Sequence, residues 1–307
     1  MTKVSIVGAG YVGAATAFAM VLRGTCSELV LVDKNEAKAR AEAADISHAT
    51  PISHATRVSA GSYADLSGAH LVVLTAGANQ RPGESRLELL ARNAAVFREM
   101  VPQVLGAAPE ATLLIATNPV DVMTQLSAQL AGPERAARVF GSGTVLDTAR
   151  LRALIAAQAN VDPQHVHGYV LGEHGDSEVV AWSGVTIAGL GLEKFMDAAH
   201  KPWNAEVQAQ TEHAVRHAAA EIIAVKGMTA YGIGAALARI TEAVLRDRRS
   251  VLTVSAVHGR YGAALSLPRV VGGAGLLETL TLPLSAAEEA ALERSAQVLR
   301  EAGQQVL

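Results

Sequence analysis

Short, predominantly apolar runs, with apolar residues on consecutive rather than alternating positions, alternate with longer stretches of helical periodicity through the first half of the chain. The apolar runs are VSIVG (4–8), LVLVD (29–33), HLVVLTAG (70–77) and TLLIATN (112–118). Helical patterns follow from about Tyr11 to Arg23, Asn35 to Ser47 and Arg86 to Ala107, and again from Pro119 onward. A run apolar on both faces is covered on both faces, and strand–helix alternation lays successive strands in parallel. The pattern predicts an α/β fold with a doubly wound parallel sheet.

The order changes near Gly143. A helix is predicted from about Val145 to Asn160, then strands in VHGYVLG (166–172) and VVAWSGVTI (179–187). Long helices near 204–225 and 229–246, strands near 251–257 and 263–267, and a closing helix near 285–302 complete the pattern. Mixed order of this kind predicts a separate C-terminal α+β lobe, so the expected division is 1–143 and 144–307.

Composition narrows the picture modestly. With 307 residues, half of them hydrophobic and a net charge of -3, the chain can bury large cores and carries no general pull toward nucleic acid or membrane. The single cysteine, Cys26, reads as a small buried apolar residue. With no leader-like or membrane-spanning stretch in view, the cytoplasm is the expected location. His48 and His54, in the near-repeat ISHATPISHAT, lie six apart and do not share a helical face, so no metal site is expected.

Two stretches carry chemistry. VGAGYVG places Gly8, Gly10 and Gly13 in GxGxxG spacing between a strand and a helix, and Asp33 ends the next strand twenty positions after Gly13. Gly8 permits the tight turn, Gly10 lets backbone approach a pyrophosphate, and Gly13 allows close helix–strand packing. A carboxylate at Asp33 accepts from a ribose and repels a 2′-phosphate, which favours NAD and makes the sheet Rossmann-type. In VLGEHGDSEVV (170–180), His174 sits between glycines at a strand end. Asp147, in GSGTVLDTARLR (141–152), can bond one ring nitrogen while the other faces a substrate. Arg150 follows at i+3 on the same predicted helix and suits a carboxylate bidentately.

VGAGYVG, LVDKN, TAGANQRPGESR, ATNPVD, GSGTVLDTARLR, GEHGD and KGMTAYGIG, in that order, resemble the lactate/malate dehydrogenase family, in particular its bacterial lactate-using branch. The likeness extends over essentially the whole chain. It implies His174 as acid/base, Asp147 as its orienting partner, Arg150 as clamp for the substrate carboxylate, and Arg86 as a lid residue polarising the reacting carbonyl. It further implies that Asn118 bonds the substrate oxygen, with a cis bond to Pro119, and that Thr229 lines the pocket. Val12, Asp33, Gly77, Ala78, Asn118 and Ser142 would touch NAD, with Lys38 and Tyr63 near its adenosine half.

In malate-using members an arginine stands six residues before the lid arginine. Here that position is Gln80, followed by Arg81, and Glu84 adds negative charge. A neutral amide accommodates the methyl of pyruvate, so pyruvate/L-lactate is expected; malate by loop rearrangement is the alternative, and a non-catalytic NAD-binding redox sensor is the alternative of another class. Arg152 and His167 match positions that bind fructose 1,6-bisphosphate in allosteric relatives, which implies a homotetramer activated by that effector.

Overall fold

The computed structural model describes residues 2–78 and 86–307, and of Arg86 the backbone alone. The N-terminal half runs β1 (Lys3–Val7), α1 (Tyr11–Arg23), β2 (Glu28–Val32), α2 (Glu36–Ser47), β3 (Arg57–Ala60), β4 (Leu71–Leu74), α3 (Arg86–Ala107), β5 (Thr112–Ile115), α4 (Val120–Ala131) and β6 (Val139–Gly141). These six strands are parallel, in the order β3-β2-β1-β4-β5-β6. The order reverses between β1 and β4, the crevice where open α/β sheets bind ligands.

The remainder contains α5 (Val145–Ala159), β7 (Val166–His167), β8 (Val170–Leu171), β9 (Val179–Val180), β10 (Thr186–Ile187), β11 (Leu190–Gly191) and α6 (Leu192–Ala198). It continues with α7 (Ala205–Lys226), α8 (Tyr231–Leu245), β12 (Ser250–Leu252), β13 (Ser255–His258), β14 (Ala263–Ser266), β15 (Arg269–Gly272), β16 (Gly275–Thr279) and α9 (Ala286–Gly303). The hairpin β13–β14 joins the first sheet antiparallel, beyond β6, so one eight-stranded sheet runs through both halves.

Alternate residues of the buried strands feed two cores. Val4, Ile6, Leu71 and Val73 pack with Ala17, Met20, Leu237 and Ile240 of α1 and α8. Val7, Val72, Leu74 and Ile115 pack with Phe97, Met123 and Leu299 of α3, α4 and α9. Each fully buried side chain of this kind stabilises the fold by roughly 1.5–3 kcal/mol. Helices α1 and α8 meet backbone to backbone: a Cβ at Gly234 would lie 2.8 Å from the Ala15 carbonyl carbon. A third core, with Leu151, Ile155, Val180, Met196 and Val215, sits under the C-terminal lobe.

Several elements differ from the sequence expectation. VHGYVLG divides into β7 and β8, and VVAWSGVTI is broken by a 3₁₀ turn at Trp182–Gly184. The strands β3, β6, β15 and β16 and the short helix α6 give too few periodic positions to be read from the sequence. No helix among the described residues is long and apolar enough to cross a membrane.

Candidate active site

At the crevice between β1 and β4, two hydrogen bonds hold the cofactor end. Gly8 has φ +110° and donates its N–H to Val32 O at 2.7 Å, while Thr75 Oγ1 donates to Gly8 O at 2.7 Å. A Cβ at Gly8 would come within 2.4 Å of Ala76 N, and one at Gly13 within 1.9 Å of Gly8 O. Gly10 is different: nothing lies within 4 Å of its added Cβ, which would project into open space. Gly10 N-caps α1 without a side-chain cap, so N–H groups at the helix start are left for an anion. Glycine is therefore demanded by sterics at Gly8 and Gly13 and by room at Gly10, which is the cradle a pyrophosphate needs.

A cleft of about 580 Å³ opens there, lined by Gly8, Gly10, Val12, Asp33, Lys38, Gly77, Ala78 and Thr229 among others. A second of about 580 Å³ shares Gly8, Asp33, Gly77 and Ala78 and reaches Tyr63. Asp33 Oδ2 accepts from Ala9 N–H at 2.7 Å and Oδ1 from Asn35 N–H at 2.9 Å, so the carboxylate that would meet the ribose also braces the glycine turn. The Tyr63 hydroxyl titrates above its usual range, through burial and then the charges of Glu99 and Asp33. Among the expected cofactor contacts, Ser142 is buried and donates its N–H to Ile115 O at 2.8 Å. Asn118 is exposed past the end of β5, and its bond to Pro119 is cis. The groups present fit NAD: a cradle for pyrophosphate, a ribose carboxylate, and room for adenosine.

The chemical end lies where α5 meets the loop after β8. His174 Nδ1 is 2.6 Å from Asp147 Oδ2, and Arg150 Nη1 donates to Asp147 Oδ1 at 2.7 Å. The i+3 spacing puts Arg150 on the side of α5 that faces Asp147, as helical geometry requires. Asp147 is 2% exposed, whereas the His174 side chain keeps 26% of its surface open. Burial alone would lower the affinity of His174 for its proton; the Asp147 charge and hydrogen bond outweigh it and raise the pKa to about 9, helped by Asp121 and Glu178. Burial alone would raise Asp147, but His174 and Arg150 hold it below the ordinary carboxylate range. The result is an imidazolium with Nδ1 fixed and Nε2 left to serve as donor, beside a guanidinium.

Sequence reasoning missed three residues here. Asn93 of α3, 2% exposed, accepts from Ala78 N–H at 2.7 Å and donates to Asn118 O at 2.8 Å, tying two strand ends together. Asp121 accepts the His174 N–H at 2.8 Å. Glu178 is 4% exposed, and burial followed by the Asp147 charge pushes its carboxyl up to about 8. Asp121 stood in the quoted ATNPVD and Glu178 in VLGEHGDSEVV, but burial, which sets their importance, is a tertiary property.

Arg152 and His167 lie away from this cluster. Arg152 donates Nε to Gly168 O at 3.2 Å and covers the Tyr169 ring at 5.3 Å, beside the exposed His167 on β7. Burial lowers the pKa of the Arg152 guanidinium. Gln80 and the side chain of Arg86 lie outside the described residues.

Comparison with known proteins places this geometry. Family models for the lactate/malate dehydrogenase NAD binding domain and alpha/beta C-terminal domain match residues 2–141 and 144–307. The chain is 59% identical over 304 residues to the L-lactate dehydrogenase of Deinococcus radiodurans, with 99% of each chain covered. It is 53% identical over 304 residues to that of Thermus aquaticus, with 97% of each covered. A crystal structure of minor L-lactate dehydrogenase from Enterococcus mundtii superposes with a TM-score of 0.94 at 39% identity, over 100% of this chain and 98% of that one. The chain belongs to the lactate/malate dehydrogenase family and is an NAD-dependent oxidoreductase. Within that family it stands among the L-lactate dehydrogenases.

Proposed function

We propose that the chain is a cytoplasmic enzyme that reduces pyruvate reversibly to L-lactate, with residues 1–143 holding NAD and 144–307 holding substrate. The observation that carries this reading is the His174–Asp147–Arg150 constellation, with its 2.6 and 2.7 Å contacts. Bound as NADH, the cofactor would supply a hydride to the keto carbon. His174, protonated at neutral pH, donates a proton from Nε2 to the carbonyl oxygen, and takes it back in lactate oxidation. Asp147 fixes the ring and offsets the charge it bears as imidazolium. Arg150 receives the substrate carboxylate, while Asn118 and Arg86 stabilise negative charge as it grows on the reacting oxygen. Thr229 stands on the cleft wall, where it would meet the methyl end of the substrate. A neutral amide at Gln80 would leave the second carboxylate of oxaloacetate unpaired, which disfavours malate chemistry. The test compares initial rates of NADH loss with pyruvate and with oxaloacetate. A large preference for pyruvate is expected, falling in Gln80→Arg; equal rates in the unmodified enzyme would end the lactate reading.

We further propose that the enzyme is a homotetramer activated by fructose 1,6-bisphosphate through Arg152 and His167. The reading is supported by a half-buried guanidinium whose Nε donates to the carbonyl of Gly168, the residue that follows the exposed His167; a phosphate bound there would pair with both side chains. The sugar bisphosphate should lower the pyruvate concentration for half-saturation at acidic and neutral pH. Saturation curves and sedimentation with and without the effector check this, and superimposable curves would end it.

A further inference from the structure

The loop that carries His174 is pinned at three consecutive residues. Gly172 exchanges backbone bonds with Ser266 of β14, at 2.9 and 2.8 Å. The Glu173 N–H donates to Ser295 Oγ of α9 at 2.8 Å. The His174 N–H donates to Asp121 Oδ2 at 2.8 Å. The first two acceptors are neutral; the third is a carboxylate 2% exposed, in the first turn of α4. An amide or hydroxyl oxygen would accept that N–H equally well without the penalty of burying an ion. The charge itself therefore has a use.

We propose that Asp121 is a positioning residue for the reaction, holding His174 in register with Asn118 and helping through its charge to keep the imidazole protonated. The proposal rests on the reading of His174 as proton donor. Asp121 lies three residues beyond Asn118, so one turn of chain carries both the residue meant for the substrate oxygen and the acceptor that fixes the His174 backbone. The groups facing Asp121 are His174 and Glu173 from the pinned loop and Arg269 from β15. Arg269 is 1% exposed, donates to the carbonyls of Leu265 and Ala256 at 3.0 and 3.1 Å, and sets its positive charge behind the carboxylate. Around His174 stand Asp147 and Arg150 from α5, Asp121 from α4, and Glu178 from the His174 loop, with Arg216 of α7 beyond Glu178. Burial, partly offset by Ser255 and the His174 N–H, pushes Asp121 up to about 6, so it is ionised at neutral pH and its charge adds to that of Asp147 on the ring.

The test is the pH dependence of kcat/KM for pyruvate in Asp121→Asn and Asp121→Ala, with thermal midpoint and NADH affinity measured on the same samples. The amide keeps an oxygen for the His174 N–H but no charge; alanine keeps neither. Asp121→Asn should hold kcat within about threefold below pH 6 while its alkaline limb moves toward acid by roughly 0.5–1 pH unit. Asp121→Ala should in addition raise the pyruvate KM about tenfold at that acid pH, with NADH affinity unchanged. An alkaline limb in Asp121→Asn that coincides with the parent overturns the proposal, whatever happens to the thermal midpoint. So does a folded Asp121→Ala with the parent KM; should that variant not fold, the Asp121→Asn limb decides alone. His174→Asn separates the two layers, because turnover surviving in that variant would remove the proton-donor reading itself.

Discussion

Asp147→Asn removes one charge from the site while nearly preserving shape. His174 is held at about 9 against an ordinary value of 6.5. That difference corresponds to roughly 3.4 kcal/mol favouring the imidazolium, and with the ring 26% exposed, solvent screening reduces the real figure to about 2–3 kcal/mol. Without the carboxylate, burial again dominates and the ring returns to about 6.5 or below. At pH 7.5 the protonated fraction then falls from about 97% to about 9%. Pyruvate reduction should lose at least tenfold in kcat/KM at that pH and regain much of it near pH 5.5, where the ring is protonated again. Lactate oxidation needs the neutral ring, so its alkaline optimum should move toward acid and its rate at pH 7.5 should suffer less than reduction does. Initial rates of NADH absorbance change from pH 5.5 to 9, in both directions, measure this. An alkaline limb that stays near 9 in the variant would refute the assignment of Asp147 as the source of the shift. The same shift bears on stability: lying above the unfolded value, it contributes fully below pH 6.5 and is lost as pH rises through about 9.

Gly10→Ala and Gly13→Ala should separate binding from folding. The first meets nothing within 4 Å, so the thermal midpoint should hold while NADH affinity falls about tenfold or more; the second clashes at 1.9 Å and should lower the midpoint itself. Calorimetry and NADH fluorescence titration distinguish them. Glu178→Gln should stabilise the enzyme at alkaline pH. A carboxyl held at about 8 rather than 4.5 binds its proton more tightly in the folded state, so stability drains as pH rises between those values. Relief of about 1–2 kcal/mol at pH 8.5, a few degrees in Tm, is expected, with no gain at pH 4.5; melting curves at both pH values check it.

Much of the fold was written in local pattern. Runs such as LVVL are apolar at every position because both faces of the sheet are covered, and α1 and α3 begin and end where their periodicity does. Strand β3, RVSA, is half-exposed at the sheet edge, and β6 has three residues, so neither leaves a run long enough to read. At the site, motif residues led to His174, Asp147 and Arg150, which the chain brings within hydrogen-bond reach. Asn93 and Asp121 escaped notice because nothing in a helical sequence distinguishes a polar residue on the solvent face from one buried against a catalytic loop. Their partners are 15 to 53 residues away along the chain, and only packing reveals them.

The hairpin of β13 and β14, hydrogen-bonded to β6 through Ser255 and Gly141, makes the NAD-binding half and the C-terminal half parts of one slab. A gene cut near residue 143 would thus leave an open, apolar sheet edge on the first fragment and a hairpin with no neighbour on the second. Chimaeras that trade substrate preference by swapping everything after that point would have to carry a matching β6, whereas exchanges confined to loops above the slab leave its seam intact.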